Sequence, residues 1–483
     1  MKTPSLGGVH AAASDKVPPM ADSLVARDLD VLWHPCSQMR DYVAFPPLEV
    51  VAAHGSRLVL ADGREVIDAI ASWWCKSLGH GHPRLRAALS AQAAAFEHVI
   101  LANTTNQPVV RLCERLLAAA NGHDVQHWGP HAAPGRRAGH FSKVFFADNG
   151  STGVEVALKM ALQFQQQSGQ PARTRLASLA NGYHGETAGA LGVSDCGIYK
   201  EHYASLLPAC THLVGLPYRS GPEDPAWLDT SAEWPAIERQ LAPLAATLAA
   251  LIYEPVMQGA GGMRLYSPDL LRRLRAWADV HHVLLIADEI AAGLGRLGTM
   301  LASHLPGAAM PDLAVVAKGL TGGMLPMSAV LVPERIYAAF DGEWAERKAF
   351  LHSNTYAGNA LAVAVANATL DVYADEEVLA QVAMRGPTLR AGLAALATTR
   401  PSVREVRGCG MMAAVDLCHP DGRPRDPGHR TGWKVYQAAV ARGALLRPLG
   451  DTLYLFPPLT IAAADIDRLL SIVGDSIDAV IGG

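Results

Sequence analysis

The sequence predicts an α/β protein with a mostly parallel sheet covered by helices on both faces, and a smaller α+β unit assembled from the two chain ends. Three observations predict it. Between about residues 140 and 335, short continuous apolar runs alternate with amphipathic stretches, the pattern of strands buried on both faces and joined by helices. Those runs stop at polar residues suited to chemistry, and in parallel sheets functional groups gather beyond the carboxyl ends of the strands. Before about residue 75 and after about 365 the texture changes to strand pieces among Gly and Pro turns: Arg57-Leu-Val-Leu60, Met411-Met-Ala-Ala-Val415 and Thr452-Leu-Tyr-Leu-Phe456.

Each element follows from its own residues. Lys143-Val-Phe-Phe-Ala147 reads as a strand, and Val154, Ala157, Leu158, Ala161 and Leu162 recur behind it at helical spacing. Leu251-Ile-Tyr253 enters a Pro/Gly-rich loop from Glu254 to Gly262, and a helical stretch runs from Pro268 to Val280. Val283-Leu-Leu-Ile-Ala287 stops at Asp288-Glu289, and Leu313-Ala-Val-Val-Ala317 stops at Lys318-Gly319. Leu389 to Ala397 reads as an Ala-rich helix.

Composition excludes several classes of function. Of 483 residues half are apolar and 18% charged, with 41 Lys plus Arg against 45 Asp plus Glu. A net charge of −4 is too balanced to attract a polyanion by bulk electrostatics, so nucleic acid is not expected as a partner. Seven cysteines without a C-x-x-C pair fit neither a disulfide framework nor a thiolate zinc site, and they suit a reducing cytoplasm. No stretch reads as a signal peptide or membrane span. Residues 1–20 read as a flexible extension, with Met20 as an alternative start.

Single motifs leave alternatives open. The small residues of Asp148-Asn-Gly-Ser151 let backbone N–H groups and a hydroxyl point at one anion at a helix N-terminus; an ordinary N-cap uses the same residues. A carboxylate ending an apolar strand, as Asp288 does, needs a partner, in a site or in a structural ion pair. Lys318 follows an apolar strand, where desolvation lowers a lysine's pKa and prepares it for Schiff-base chemistry; a snorkelling lysine has the same sequence. Gly293-Leu-Gly-Arg-Leu-Gly298 matches G-x-G-x-x-G, but Asp288 and Glu289 intervene after the strand and would set two carboxylates beside a pyrophosphate, against a nicotinamide or flavin site. There is no G-x-S-x-G and no H-E-x-x-H, and none of the 19 histidines has a metal-ligand spacing, so no metal is expected.

Taken together, six blocks in order resemble the class III, fold-type I pyridoxal-phosphate (PLP) aminotransferases: GHGHP (79–83), DNGSTGVEVALKMA (148–161), NGYHGET (181–187), EPVMQGAGG (254–262), ADEIAAGLGRLG (287–298) and AKGLTGG (317–323). LWHPCSQM (32–39), SWWCKSLGHGHP (72–83), GAGGMRLYSPDLL (259–271), HSNTYAGNALAVAVANATLDV (352–372) and LRPLGDTLYLFPP (446–458) are most similar to the branch serving biotin synthesis. That branch converts 8-amino-7-oxononanoate to 7,8-diaminononanoate with S-adenosylmethionine as amino donor.

The resemblance implies pyridoxal 5'-phosphate bound covalently to Lys318, with Asp288 on its ring nitrogen, Tyr183 on its ring face, Gly150 and Ser151 on its phosphate, and Glu254 in the same cofactor site. It implies a homodimer in which Asn354 and Thr355 reach the other subunit's phosphate. Substrates are expected to meet Trp73, Trp74, Tyr183, Lys318, Ser353, Arg447 and Arg296, with Arg447 the cation for the keto acid's remote carboxylate. In place of the three domains that length alone suggests, the motif order implies residues 21–75 and 366–483 as a small domain around a large cofactor domain, 76–365. Three departures from the family pattern, Cys36 for Tyr, Ser353-Asn354 for Gly-Pro and Asn149 for Ser, fall on fine contacts. They leave open a lysine-using enzyme or an omega-amino-acid:pyruvate transaminase.

Overall fold

The computed structural model describes residues 23–482; the expected extension and Met20 lie outside them. The central sheet has seven strands, β1 (Phe141–Ala147), β2 (Arg175–Leu179), β3 (Cys210–Leu213), β4 (Leu248–Tyr253), β5 (Leu284–Asp288), β6 (Leu313–Val316) and β7 (Ser328–Pro333), in the order β1-β7-β6-β5-β4-β2-β3. From β3 to β6 every neighbouring pair is parallel. Only β7 runs against its neighbours β6 and β1. Because β7 is flanked by two antiparallel pairings, β1 points the same way as the parallel strands, and the carboxyl ends of β1, β2, β4, β5 and β6 share one edge. Ser328, opening β7, reaches that edge too, its Oγ donating to Asn149 O at 2.7 Å.

The apolar runs become strands because both sheet faces are covered. β4 and β5 are buried at every residue. One face packs on the helix Gly150–Gln167, whose Val154, Val156, Ala157 and Ala161 share a core cluster with Ile252, Ile286 and Val315. The other holds Leu251 and Leu285 with Trp277 of the helix Asp269–His281. Asn149 caps the first helix, its side chain accepting from Thr152 N while its own N–H donates to Thr152 Oγ1, a reciprocal arrangement that starts the helix cleanly.

The chain ends meet in one small sheet, and the C-terminal end forms a second of its own. Val50–His54, Arg57–Leu60 and Glu65–Asp68 form an antiparallel meander, to which Ala444–Leu445 adds a parallel strand beside Glu65–Asp68. Val403–Cys409, Met412–Leu417 and Thr452–Leu455 form an antiparallel sheet. The expected Ala-rich helix lies within Val378–Thr399. The motif Gly293 to Gly298 lies in a turn after β5, with Gly295 and Gly298 at φ +85° and +104°, and no helix starts there. Among the described residues no helix is long and apolar enough to cross a membrane.

Candidate active site

A cavity of about 1380 Å³ opens at the carboxyl edge of the sheet. Its wall includes Lys318, Asp288, Glu254, Tyr183, Gly150, Ser151, Trp73, Trp74 and Arg447. Residues more than 370 positions apart are thus assembled around one lysine.

Lys318 follows β6 with φ +43° at the start of the turn Lys318–Thr321. Its Nζ has no hydrogen-bond or ion-pair partner among the described residues, and lies 5.0 Å from the centre of the Trp74 ring. Burial holds its amine below the ordinary lysine pKa, against the opposing charges of Asp288 and Glu254. A desolvated lysine with no fixed partner suits a nucleophilic amine.

Asp288 ends β5 and is 3% exposed. Its Oδ1 accepts from Ile290 N at 3.1 Å, and its Oδ2 accepts from His184 Nδ1 at 2.8 Å. The required partner is therefore a neighbouring imidazole, and the carboxylate still faces the cavity. Glu254, just past β4, accepts from Tyr183 N (3.0 Å) and Gly259 N (2.9 Å). Burial pushes its carboxyl up to about 7; His184 opposes that rise and Asp288 adds to it. Tyr183 Oη donates to Glu186 Oε1 at 2.9 Å, and burial raises its phenol.

The helix start offers an anion cradle. Gly150 and Ser151 occupy the first two helical positions, whose N–H groups have no intrahelical acceptor, and among the described residues nothing else accepts from them. Ser151 Oγ is 2.8 Å from Thr187 Oγ1. A phosphate fits this cradle by charge and by donors. The fit extends to the rest of PLP, with a fixed carboxylate for a ring N–H and an unpaired amine for an aldehyde carbon.

Trp73 and Trp74 sit on a turn in which Ala71, Ser72, Trp73 and Trp74 all have positive φ, +48°, +46°, +67° and +73°. Left-handed backbone costs an L-residue about 1–2 kcal/mol each. Trp74 is buried, donates through Nε1 to Tyr454 Oη (3.2 Å) and packs against Phe456. Trp73 is 39% exposed beneath the Arg447 guanidinium, 4.5 Å from its ring centre. Arg447 donates to Cys36 O at 2.8 Å and has no carboxylate partner among the described residues. Arg430, in the same wall, is neutralised by Asp41 through two 2.7 Å bonds.

Four expected site residues stand off this wall. Arg296 is 3% exposed, donates from Nη1 to Met411 O (2.7 Å) and Pro457 O (2.8 Å), and lies 3.8 Å from the centre of the Phe456 ring. It meets the cavity wall through Phe456 and Trp74, because its guanidinium is enclosed by carbonyls; burial, with no counter-ion among the described residues, lowers its pKa to about 9. Ser353, Asn354 and Thr355 lie on the segment between Leu351 and Tyr356, where Ser353 and Thr355 are exposed. Sequence alone does not single out His184, Cys75 or Arg264, although all three line the cavity. The signal for His184 was its place next to Tyr183 in NGYHGET.

Comparison with known proteins gives the family. Residues 38–477 match the family model for class III aminotransferases. The chain is 36% identical to adenosylmethionine-8-amino-7-oxononanoate aminotransferase of Geobacter sulfurreducens, covering 96% of this chain and 100% of that one. It is 39% identical to the Synechococcus elongatus enzyme of the same name, over 93% and 99%. Among solved structures, the enzyme of that name from Methanocaldococcus jannaschii superposes with a TM-score of 0.86 at 28% identity, covering 95% and 99%. An amine transaminase from an uncultivated Pseudomonas species, solved in its PLP-bound form, gives 0.81 at 32% identity, over 93% and 99%. With that match spanning nearly the whole chain and the site it encloses, the protein belongs to the class III aminotransferases, of fold-type I.

Proposed function

We propose that this enzyme transaminates 8-amino-7-oxononanoate to 7,8-diaminononanoate, the biotin-pathway reaction, using PLP held at Lys318 and S-adenosylmethionine as amino donor. The observation that carries the chemistry is the unpaired Lys318 amine sharing one cavity with Asp288 and with the free N–H groups of Gly150 and Ser151. The relatives' names and whole-length similarity carry the substrates. Bound there, PLP supplies an electron sink that makes the hydrogen on the amine-bearing carbon labile.

The chain's own residues do the rest. Gly150 and Ser151 hold the phosphate, and Asp288, oriented by His184 and Ile290 N, keeps a proton on the ring nitrogen. Lys318, with its amine free, would be the base that takes the labile proton and the acid that returns it, for which a lowered pKa suits it. Tyr183 and Glu254 bound the site beside the cofactor, and Trp73 and Trp74 narrow the cavity and limit water. Arg447 takes the keto acid's carboxylate, with Arg296 acting behind Phe456 rather than on the substrate.

The working unit is a homodimer, with Asn354 and Thr355 of each copy reaching the other's phosphate site and Ser353 beside the substrate. Exposed apolar residues near that segment, Leu351 at 81%, Tyr356 at 61% and Ile100 at 61%, support a covering partner. Residues 76–365 act as the cofactor domain and both chain ends as the small one, in keeping with the strand Ala444–Leu445 joining the N-terminal sheet. Seven unpaired cysteines suit a cytoplasmic enzyme. The test is the half-reaction: S-adenosylmethionine alone should bleach the visible absorbance of the PLP-loaded enzyme, and the keto acid should restore it. No change with either compound contradicts the reading.

A further inference from the structure

The left-handed turn Ala71–Trp74 contains no glycine, asparagine or aspartate, the residues that accept this conformation routinely. Ser72 and Trp73 also have ψ of +57° and +46°, so the segment is a true left-handed turn of side-chain-bearing residues. Such a run persists only where its surroundings over-determine it.

What surrounds it is a buried polar cluster with no part in the cavity wall. Asp68, the last residue of the strand Glu65–Asp68, is fully buried. Its Oδ2 accepts from Ser72 Oγ at 2.7 Å and from His80 Nε2 at 2.9 Å, and its Oδ1 accepts from Ile70 N at 3.3 Å. Its carboxylate therefore ties residues on both sides of the turn to one point. His80 is itself fixed by paired backbone bonds with Gly55, 2.7 and 3.0 Å. The approach there is so close that a Cβ on Gly79 would lie 2.5 Å from Gly55 O. On the far side of the turn Trp74 stands over Lys318 and Trp73 under Arg447.

We infer that Asp68, with Ser72 and His80, is a positioning cluster: it holds the left-handed turn and thereby sets where the two tryptophans stand relative to Lys318 and Arg447. The step from turn to substrate rests on the function proposed above; the step from cluster to turn does not.

Ser72→Ala and Ser72→Gly, each prepared as the PLP-loaded enzyme, separate the two steps. Both remove the hydroxyl, but glycine also removes the steric opposition to a positive φ. Ser72→Ala should weaken the near-ultraviolet circular dichroism of the tryptophans and raise the keto-acid KM about tenfold, the scale of one lost hydrogen bond to a charged group, with kcat within about threefold. Ser72→Gly should fall between alanine and wild type in both readouts. An unchanged tryptophan spectrum in Ser72→Ala overturns the cluster's role, whatever the substrate. A changed spectrum with unchanged KM overturns the link to substrate. Should Ser72→Ala fail to fold, the same readouts on His80→Ala and His80→Gln decide, since only glutamine keeps a donor toward Asp68: a weakened spectrum and raised KM in alanine that glutamine largely restores support the cluster, and an intact spectrum in both variants overturns it. If the wild type does not aminate the keto acid at all, the function fails while the spectral comparison still tests the cluster.

Discussion

His184 Nδ1 donates to Asp288 Oδ2 across 2.8 Å, and both side chains are buried. The ring's other nitrogen has no partner among the described residues, so this one bond sets its orientation. Asp288 in turn has its second oxygen occupied by Ile290 N. The carboxylate that faces the cavity is thus oriented by an imidazole from the β2 side of the sheet edge.

Removing that imidazole should loosen the carboxylate. A hydrogen bond to a charged group contributes about 1.5–3 kcal/mol, so His184→Ala should weaken PLP affinity or lower kcat by roughly ten- to a hundredfold. Asparagine, whose amide can stand in for Nδ1–H, should recover part of the loss. Titration of the apoenzyme with PLP, followed by absorbance, measures it; unchanged affinity together with unchanged kcat would remove His184 from the account.

Glu254 should act through charge. A nearby carboxylate raises the pKa of a cation at Lys318, so Glu254→Gln removes a stabilising negative charge and should lower the pH at which the bound chromophore titrates, by about 1 unit. The wild-type profile should also carry an inflection near 7, where Glu254 itself ionises, that the glutamine variant lacks. Absorbance against pH for the two proteins reads both effects.

The strand-end residues were legible in sequence because a continuous apolar run that stops at Asp288, Glu254 or Lys318 marks the carboxyl edge of a buried parallel sheet. The reversed strand β7 was not, since Ser328–Pro333 is as apolar as its parallel neighbours and nothing local records direction. Arg296 sits inside the Gly-rich loop, and its carbonyl acceptors lie 115 and 161 residues away, so nothing nearby announces its burial. The left-handed turn was hidden for a different reason: Ala-Ser-Trp-Trp has none of the residues that signal positive φ, and the cluster that imposes it is tertiary.

Arg447 is held by Cys36 O and the Trp73 ring, with no carboxylate partner among the described residues, leaving its charge for a ligand. Arg447→Ala should raise the keto-acid KM by about ten- to a hundredfold and change kcat much less. Steady-state kinetics with the acceptor varied gives the answer; an unaltered KM would assign the carboxylate to another cation, with Arg264 the next in the wall.

Lys318→Ala should remove both turnover and the visible absorbance of bound PLP while the protein stays folded by circular dichroism. A yellow, active variant would show that another amine carries the cofactor.

The most direct measurement is product formation by the purified, PLP-loaded enzyme given S-adenosylmethionine with 8-amino-7-oxononanoate in one reaction and an omega-amino acid with pyruvate in another, both analysed by mass spectrometry. The proposed function requires 7,8-diaminononanoate in the first and little alanine in the second. Rapid alanine formation with no diaminononanoate would contradict it.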